Sequence, residues 1–262
     1  TWTLRASLSQ RTWRDFAYGG GRFLGVADSA TFVNSIDGAS FAVGTNAAGS
    51  SSNLNGVAYG NNLFVAVGSG AILTTSDGVT WTNRTPSGAP TFNSVAFGGG
   101  VWVAVASNGT AYRSTDGVTF ASVTNGNTVA LNHVTYGGSP GKFVAVGASN
   151  GTAGTILTST DGASNTWTPR TSNAGNNALN GVIYANGKFV AVGANSTLVT
   201  SPDGTTWTAG TLPSAGFTMN RVAYGDGYFV AVAATTNGCF TSSDGITWTR
   251  IVPSAEVFNT SS

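Results

Sequence analysis

Six Asp-Gly pairs that recur about every 40 residues, one histidine and one cysteine are the residues of this chain best suited to chemistry. The pairs begin at Asp37, Asp77, Asp116, Asp161, Asp203 and Asp244. Six carboxylates at six equivalent turns are expected to serve the scaffold, because an Asp oxygen can accept hydrogen bonds from the amides of its own turn. The remaining acids are Asp15, Asp28, Asp226 and Glu256. Two-carboxylate glycoside hydrolysis would have to rest on Asp15 and Asp28, since Asp226 belongs to a tight turn and Glu256 to the tail. A Ser-His-Asp relay would depend on His133, the single histidine. One His, one Cys and no clustered acids make no metal site. Gly98-Gly99-Gly100 is not followed by a helical pattern, so no phosphate cradle is expected. Cys239 has no partner for a disulfide and reads as a small apolar residue near the start of a strand. No catalytic residue, cofactor or metal is expected.

Binding is better served. Asn55, Asn93, Asn132, Asn180 and Asn220 recur at one place in a repeated phrase, where the first copy has Arg14. The next position runs Asp15, Gly56, Ser94, His133, Gly181 and Arg221. Amides offer both donors and acceptors, which suits sugar hydroxyls. The competing reading is that these asparagines cap the incoming loop through backbone hydrogen bonds. The candidate ligand-binding set is therefore the five asparagines with Arg14, His133 and Arg221. Trp13 and Trp102 read as packing residues rather than stacking platforms. Arg5, Arg84 and Arg170 read as a solvated outer edge.

The elements that hold these residues follow from the repeat itself. Leu54-Asn55-Gly56-Val57-Ala58-Tyr59-Gly60 returns as Phe92–Gly98, Leu131–Gly137, Leu179–Tyr184 and Met219–Gly225, with a diverged copy at Trp13–Gly19. An apolar run such as Leu63-Phe64-Val65-Ala66-Val67-Gly68 follows each, then a Ser/Thr-rich segment, Asp-Gly and an aromatic. The period is about 40 residues, the length of a propeller blade. Within a copy, four short strands are predicted. The first two are apolar on both faces, as for strands sandwiched between neighbouring sheets. Asn186-Gly187 and Asp226-Gly227 suit two-residue type I′ turns between them. Asp77-Gly78 is expected to be a second two-residue hairpin, leading into a fourth, outer strand from Val79 to Arg84. No helical periodicity appears. The sequence therefore predicts an all-β, six-bladed β-propeller of four-stranded antiparallel blades, with a seven-bladed or strand-exchanged assembly as the alternative. One domain, 1–262, is divided into blades at approximately 13–52, 53–91, 92–130, 131–178, 179–217 and 218–253. Thr1–Ser7 matches the fourth-strand phrase Thr166–Ser172 and is left as a spare outer strand. Phe258-Asn259 resembles the opening of another first strand, like Phe92-Asn93.

Composition narrows the partners. Only 8% of the 262 residues are charged and the net charge is +1, which excludes the basic surface of a nucleic-acid binder and a polybasic membrane patch. No apolar run reaches membrane-spanning length, so membrane insertion is not expected. Ser, Thr, Asn and Gly stand where Lys and Glu usually do. That balance points to an extracellular, cell-surface or virion protein, and the start at Thr1 to a processed or excised product.

At Thr75-Ser76-Asp77-Gly78-Val79-Thr80-Trp81 the chain resembles the Asp-box, or BNR-like (sialidase-type), propeller repeat. Similar segments occur at Ser35–Phe41, Ser114–Phe120, Ser201–Trp207 and Ser243–Trp248, and at Asp161–Trp167 with two extra residues before the aromatic. Asp and Gly are adjacent here, which shortens the box. The resemblance implies a propeller whose aromatics pack between blades. Such repeats occur in sialidases, photosystem assembly factors, secreted binding proteins and phage proteins. A sialidase site would need a tyrosine activated by glutamate, and Glu256 is the sole glutamate. The expected function is a non-enzymatic extracellular recognition module, glycan-binding through the channel rim or inter-blade grooves, with a glycan or protein surface as partner. A structural or adhesive component of a virion or cell surface is the alternative, and a glycoside hydrolase the remote third.

Overall fold

A computed structural model of the chain describes residues 11–45, 47–234 and 238–251. The expected Thr1–Ser7 strand, Arg5, Glu256 and Phe258-Asn259 lie outside these. The chain is a six-bladed β-propeller, and each blade is a four-stranded antiparallel sheet whose strands pair in chain order. Blade 2 shows the pattern, with strands Leu54–Gly60, Leu63–Gly68, Ala71–Thr75 and Thr82–Asn83. The first strands of the other blades are Trp13–Gly19, Phe92–Gly98, Leu131–Gly137, Leu179–Ala185 and Met219–Gly225.

The first hairpin forms for the reason its residues suggest. Asn186 and Gly187 have φ of 48° and 76°, and Asp226 and Gly227 have 50° and 79°. Both positions are left-handed, as a type I′ turn requires. Just inside this turn every blade pairs an aromatic from each strand, with ring centroids 4.6–4.8 Å apart from Tyr18–Phe23 through Tyr224–Phe229. Such tilted pairs add to the stability of a hairpin beyond their buried area.

The second turn corrects the sequence reading. Asp77-Gly78 is not a two-residue hairpin: six residues separate the third and fourth strands, and Gly78 rather than Asp77 has positive φ. The Asp77 carboxylate claims the amides of Val79 and Thr80. Those residues are thereby held in a loop, and the fourth strand shrinks to Thr82–Asn83 instead of running from Val79 to Arg84. Arg84 and Arg170 are half-buried rather than solvated, and Arg170 Nε donates to Thr158 Oγ1 at 2.9 Å. Trp102 is 1% exposed and is a packing residue.

The described residues fall into two compact units, one within 11–134 and 159–167, the other within 135–158 and 168–251. In the first, Val65, Val67 and Ile72 of blade 2 pack against Phe92, Val95, Trp102 and Phe120 of blade 3. In the second, Val190, Val192 and Leu198 of blade 5 meet Met219, Phe229, Phe240 and Trp248 of blade 6. The same register therefore builds each core. One side of the second and third strands covers the first strand and the turn aromatic of the following blade.

A glycine ends the first strand in every blade but the fifth, where Ala185 stands instead. A Cβ on Gly60 would lie 2.2 Å from the Phe97 ring, and one on Gly137 would lie 2.2 Å from Tyr184. Gly225, at the same register in blade 6, would meet nothing within 4 Å. Gly60→Val is thus expected to destabilise the protein by about 1–3 kcal/mol through overpacking, while Gly225→Val stays close to neutral. Urea midpoints of the two variants check the difference.

Candidate functional site

The repeated asparagine occupies a bulge. In blade 2, Leu54 pairs with Gly68 and Gly56 with Val67, so Asn55 is the extra residue. The register shifts at the same place around Arg14, Asn93, Asn180 and Asn220. A bulge takes a residue out of the ladder and re-aims its side chain. Here the amide turns toward the next blade. Nδ2 of Asn55, Asn93 and Asn180 donates to the carbonyls of Phe92, Leu131 and Met219 at 2.8, 2.8 and 2.9 Å. These amides staple one first strand to the next. They do not cap their own incoming loops, and their donors are engaged with backbone rather than presented to a ligand.

The following position continues the stitching. Asp15 Oδ2 accepts from the Val57 amide at 2.9 Å, its Oδ1 accepts from Phe16 at 3.0 Å, and Ser94 Oγ accepts from Val134 at 3.3 Å. Both Asp15 oxygens therefore serve the backbone. Where the residue is Gly56 or Gly181, the next strand's Cα at Ser94 or Arg221 would stand 3.0 or 3.1 Å from an added Cβ. Arg221 Nη1 donates to the carbonyls of Asn180 and Asn220, at 3.0 Å each. Asn132 and His133 are half-buried on blade 4, and Arg14 and Asn220 are exposed on blades 1 and 6. The eight candidate residues occupy two successive register positions, and the Asn55, Asn93 and Asn180 amides and Arg221 reach a neighbouring strand.

The turn aspartates form a second repeated constellation. Oδ1 of Asp37, Asp77, Asp116, Asp203 and Asp244 each accepts from the backbone amides two and three residues on, at 2.7–3.1 Å. A buried hydroxyl two residues before, such as Thr75 or Ser242, donates to the same oxygen and accepts from the turn glycine. In blade 4 the two extra residues change this. Asp161 keeps Ala163, while Thr166 Oγ1 reaches Ser159 Oγ at 2.6 Å. Hydrogen bonds to the charged form lower a carboxyl pKa. The backbone amides bring Asp37, Asp116 and Asp244 down to about 2, push Asp77 lower still, and lower Asp161 and Asp203. Carboxylates held this firmly ionised are poor proton donors.

The cations also serve the frame, and sequence spacing missed it. Arg22 Nη1, Arg113 Nε and Lys188 Nζ donate to the backbone carbonyls of Asp77, Asp161 and Asp244 in the next blade. The available signal was register: Arg22, Lys142 and Lys188, including both lysines, each open a second strand. Cys239 opens the third strand of blade 6, half-buried, and burial pushes its thiol pKa up. Among the described residues no three His, Cys, Asp or Glu side chains gather as a metal site.

Blades 4 and 5 also carry a concave feature. A groove of about 320 Å³ runs between Pro169, Arg170, Thr171 and Asn173 on one side and Thr205, Thr206 and Trp207 on the other. Asn173 Nδ2 donates to the Trp207 carbonyl at 2.6 Å and ties the two walls together. Thr171, Thr205 and Thr206 are exposed.

Six four-stranded meanders with these repeated contacts define a β-propeller protein. A family model described as the DUF6242 beta propeller domain matches residues 139–258. No curated protein matches the chain. Among solved structures, YCF48 from Cyanidioschyzon merolae is 16% identical with a TM-score of 0.71, over 94% of this chain and 86% of that one. YCF48 bound to D1 peptide is 19% identical with a TM-score of 0.69, over 91% and 80%. Virginiamycin B lyase from Staphylococcus aureus is 11% identical with a TM-score of 0.79, over 96% and 88%. Identities this low speak to the fold alone.

Proposed function

We propose that this protein is a non-enzymatic recognition module whose ligand is an extended polypeptide segment of a protein partner. The observation that carries the reading is the groove between Pro169–Asn173 and Thr205–Trp207. Its exposed threonine hydroxyls and the Arg170 guanidinium offer donors beside a proline ring, a mixture that suits backbone carbonyls and small side chains. Its volume is at the small end of ligand sites, so only a few residues would be held. The peptide-bound YCF48 shares the fold, which supports this ligand class. A glycan ligand on the first-strand asparagines is supported less, because the Asn55, Asn93 and Asn180 amides are engaged. The low charge and the Ser-, Thr- and Asn-rich composition support an extracellular or virion-surface setting.

Binding of the purified chain to a random peptide array and a glycan array, side by side, tests the proposal. Peptide binding is expected, and Thr206→Trp, which fills the groove, should weaken it at least about tenfold, equal to about 1.4 kcal/mol, without moving the melting temperature. Glycan binding alone, or peptide binding indifferent to Thr206→Trp, overturns the reading. Binding to neither array leaves the structural or adhesive role as the better account.

A further inference from the structure

The groove on blades 4 and 5 is electrostatically one-sided. Arg170 is the only charged residue among those lining it, and none of the lining residues is an acid. The carboxylate of the same loop, Asp203, accepts from the amides of Thr205 and Thr206 at 2.7 and 3.1 Å and from the Ser201 hydroxyl at 3.1 Å. Its charge is satisfied inside its own turn, where Lys142 also draws it toward the charged form. Thr205 and Thr206 give their amides to Asp203, while their side chains, with that of Thr171, are exposed beside Arg170.

The guanidinium is also held in place. Arg170 Nε donates to Thr158 Oγ1 at 2.9 Å, and Thr158 is 3% exposed. Nη1 and Nη2 have no hydrogen-bond partner among the described residues. The repeat does not impose this arrangement. Arg84 and Thr74 take the same places in blade 2, yet Arg84 Nε is buried without a partner. Pro169 presents no N–H to a strand laid along this edge, so side chains rather than ladder bonds must grip a ligand here. Two free nitrogens in one plane match the two oxygens of a carboxylate. A phosphate dianion would call for a second cation, which the lining lacks.

We infer that the groove takes a carboxylate of its ligand, gripped by Arg170 Nη1 and Nη2 and the neighbouring threonine hydroxyls, with Thr158 positioning the guanidinium. The inference rests on the groove being the peptide site proposed above. An Asp or Glu side chain and a free C-terminus offer the same group.

Random peptides printed in four forms separate the sources: acidic residues kept or replaced by Asn and Gln, each with a carboxylate or an amide at the C-terminus. The form without any carboxylate should bind the wild type at least about tenfold more weakly, as for loss of a charge-assisted bond. The two mixed forms show which source carries the loss. Arg170→Gln should bind all four forms alike. Thr158→Val keeps the charge but frees the guanidinium, and should cut the preference about threefold, a change that a merely structural threonine would not make. With no variant at all, raising NaCl from about 0.05 to 0.5 M should shrink the wild-type preference. Equal binding of the four forms by the wild type, still weakened by Thr206→Trp, overturns the carboxylate anchor and leaves the peptide groove standing. A preference that Arg170→Gln preserves also overturns the anchor. Binding to no form, or binding indifferent to Thr206→Trp, overturns the groove and the anchor with it.

Discussion

Trp207→Ala is expected to cost about 3–5 kcal/mol, the usual range for removing a large buried aromatic. Trp207 is 1% exposed and is packed with Val144, Val146 and Ile156 of blade 4 and Phe189 of its own blade. Its Nε1 also donates to the Gly204 carbonyl at 3.1 Å, so the ring pins its own turn to the core. A loss of that size is a large share of the stability of an ordinary domain. The phenylalanine variants separate packing from hydrogen bonding. Trp207→Phe leaves the Gly204 carbonyl short of a donor and is expected to cost about 1 kcal/mol beyond any packing loss. Trp81 occupies the same place in blade 2, but its buried Nε1 has no hydrogen-bond partner. Trp81→Phe removes that unsatisfied donor and should be nearly neutral, as Phe120 in blade 3 suggests. Guanidinium midpoints of the three variants give the order. If Trp81→Phe costs as much as Trp207→Phe, the indole bond to Gly204 is not what distinguishes them.

The contrast between these tryptophans shows where sequence reading stops. Trp81, Trp207 and Trp248 stand alike in the repeat, and only their packing in the fold decides which indole finds a carbonyl. The repeat itself was legible because a 40-residue period, two apolar runs and paired turn residues are strong, redundant signals. Asn186-Gly187 and Asp226-Gly227 could be read as type I′ turns because two consecutive positive φ angles are a steep steric demand. Asp77-Gly78 misled, since the same dipeptide serves a different loop once the carboxylate captures amides farther along. The asparagines were legible only in part. Their recurrence marked them as important, but a bulge is a fact of register, and pairing partners are not written in one strand. With the bulge known, the Asn55, Asn93 and Asn180 amides are seen to act as inter-blade staples, a role that the repeat alone does not show.

Acidification should unfold the protein between about pH 4 and pH 2, through the turn aspartates. In the folded state Asp37, Asp116 and Asp244 have pKa values near 2, and Asp77, Asp161 and Asp203 are also lowered from the ordinary 3.8. Above pH 5 these groups are ionised in both states, and stability should not change with pH on their account. Below the unfolded value, the unfolded chain binds protons that the folded turns refuse, so stability falls as pH falls. Below the folded values the carboxyl is neutral in both states and its contribution has gone. Several protons would be taken up on unfolding in this window, which makes the transition steep. The repeat makes the effect large, because five blades carry the same lock and blade 4 a variant of it. Melting temperatures recorded from pH 7 to pH 2 at fixed ionic strength should hold level to about pH 5 and then drop sharply. Asp77→Asn provides the decisive comparison. Its amide oxygen can still accept from Val79, Thr80 and Thr75, so the loop survives near neutral pH at modest cost. One titrating group disappears, and the acid limb should become shallower by about one proton. Asp77→Ala, which leaves two loop amides and a hydroxyl without their acceptor, should instead lower stability at every pH where the carboxylate is charged. A melting curve level down to pH 2, or an acid limb that Asp77→Asn leaves equally steep, would show that the carboxylates decorate these turns without holding them.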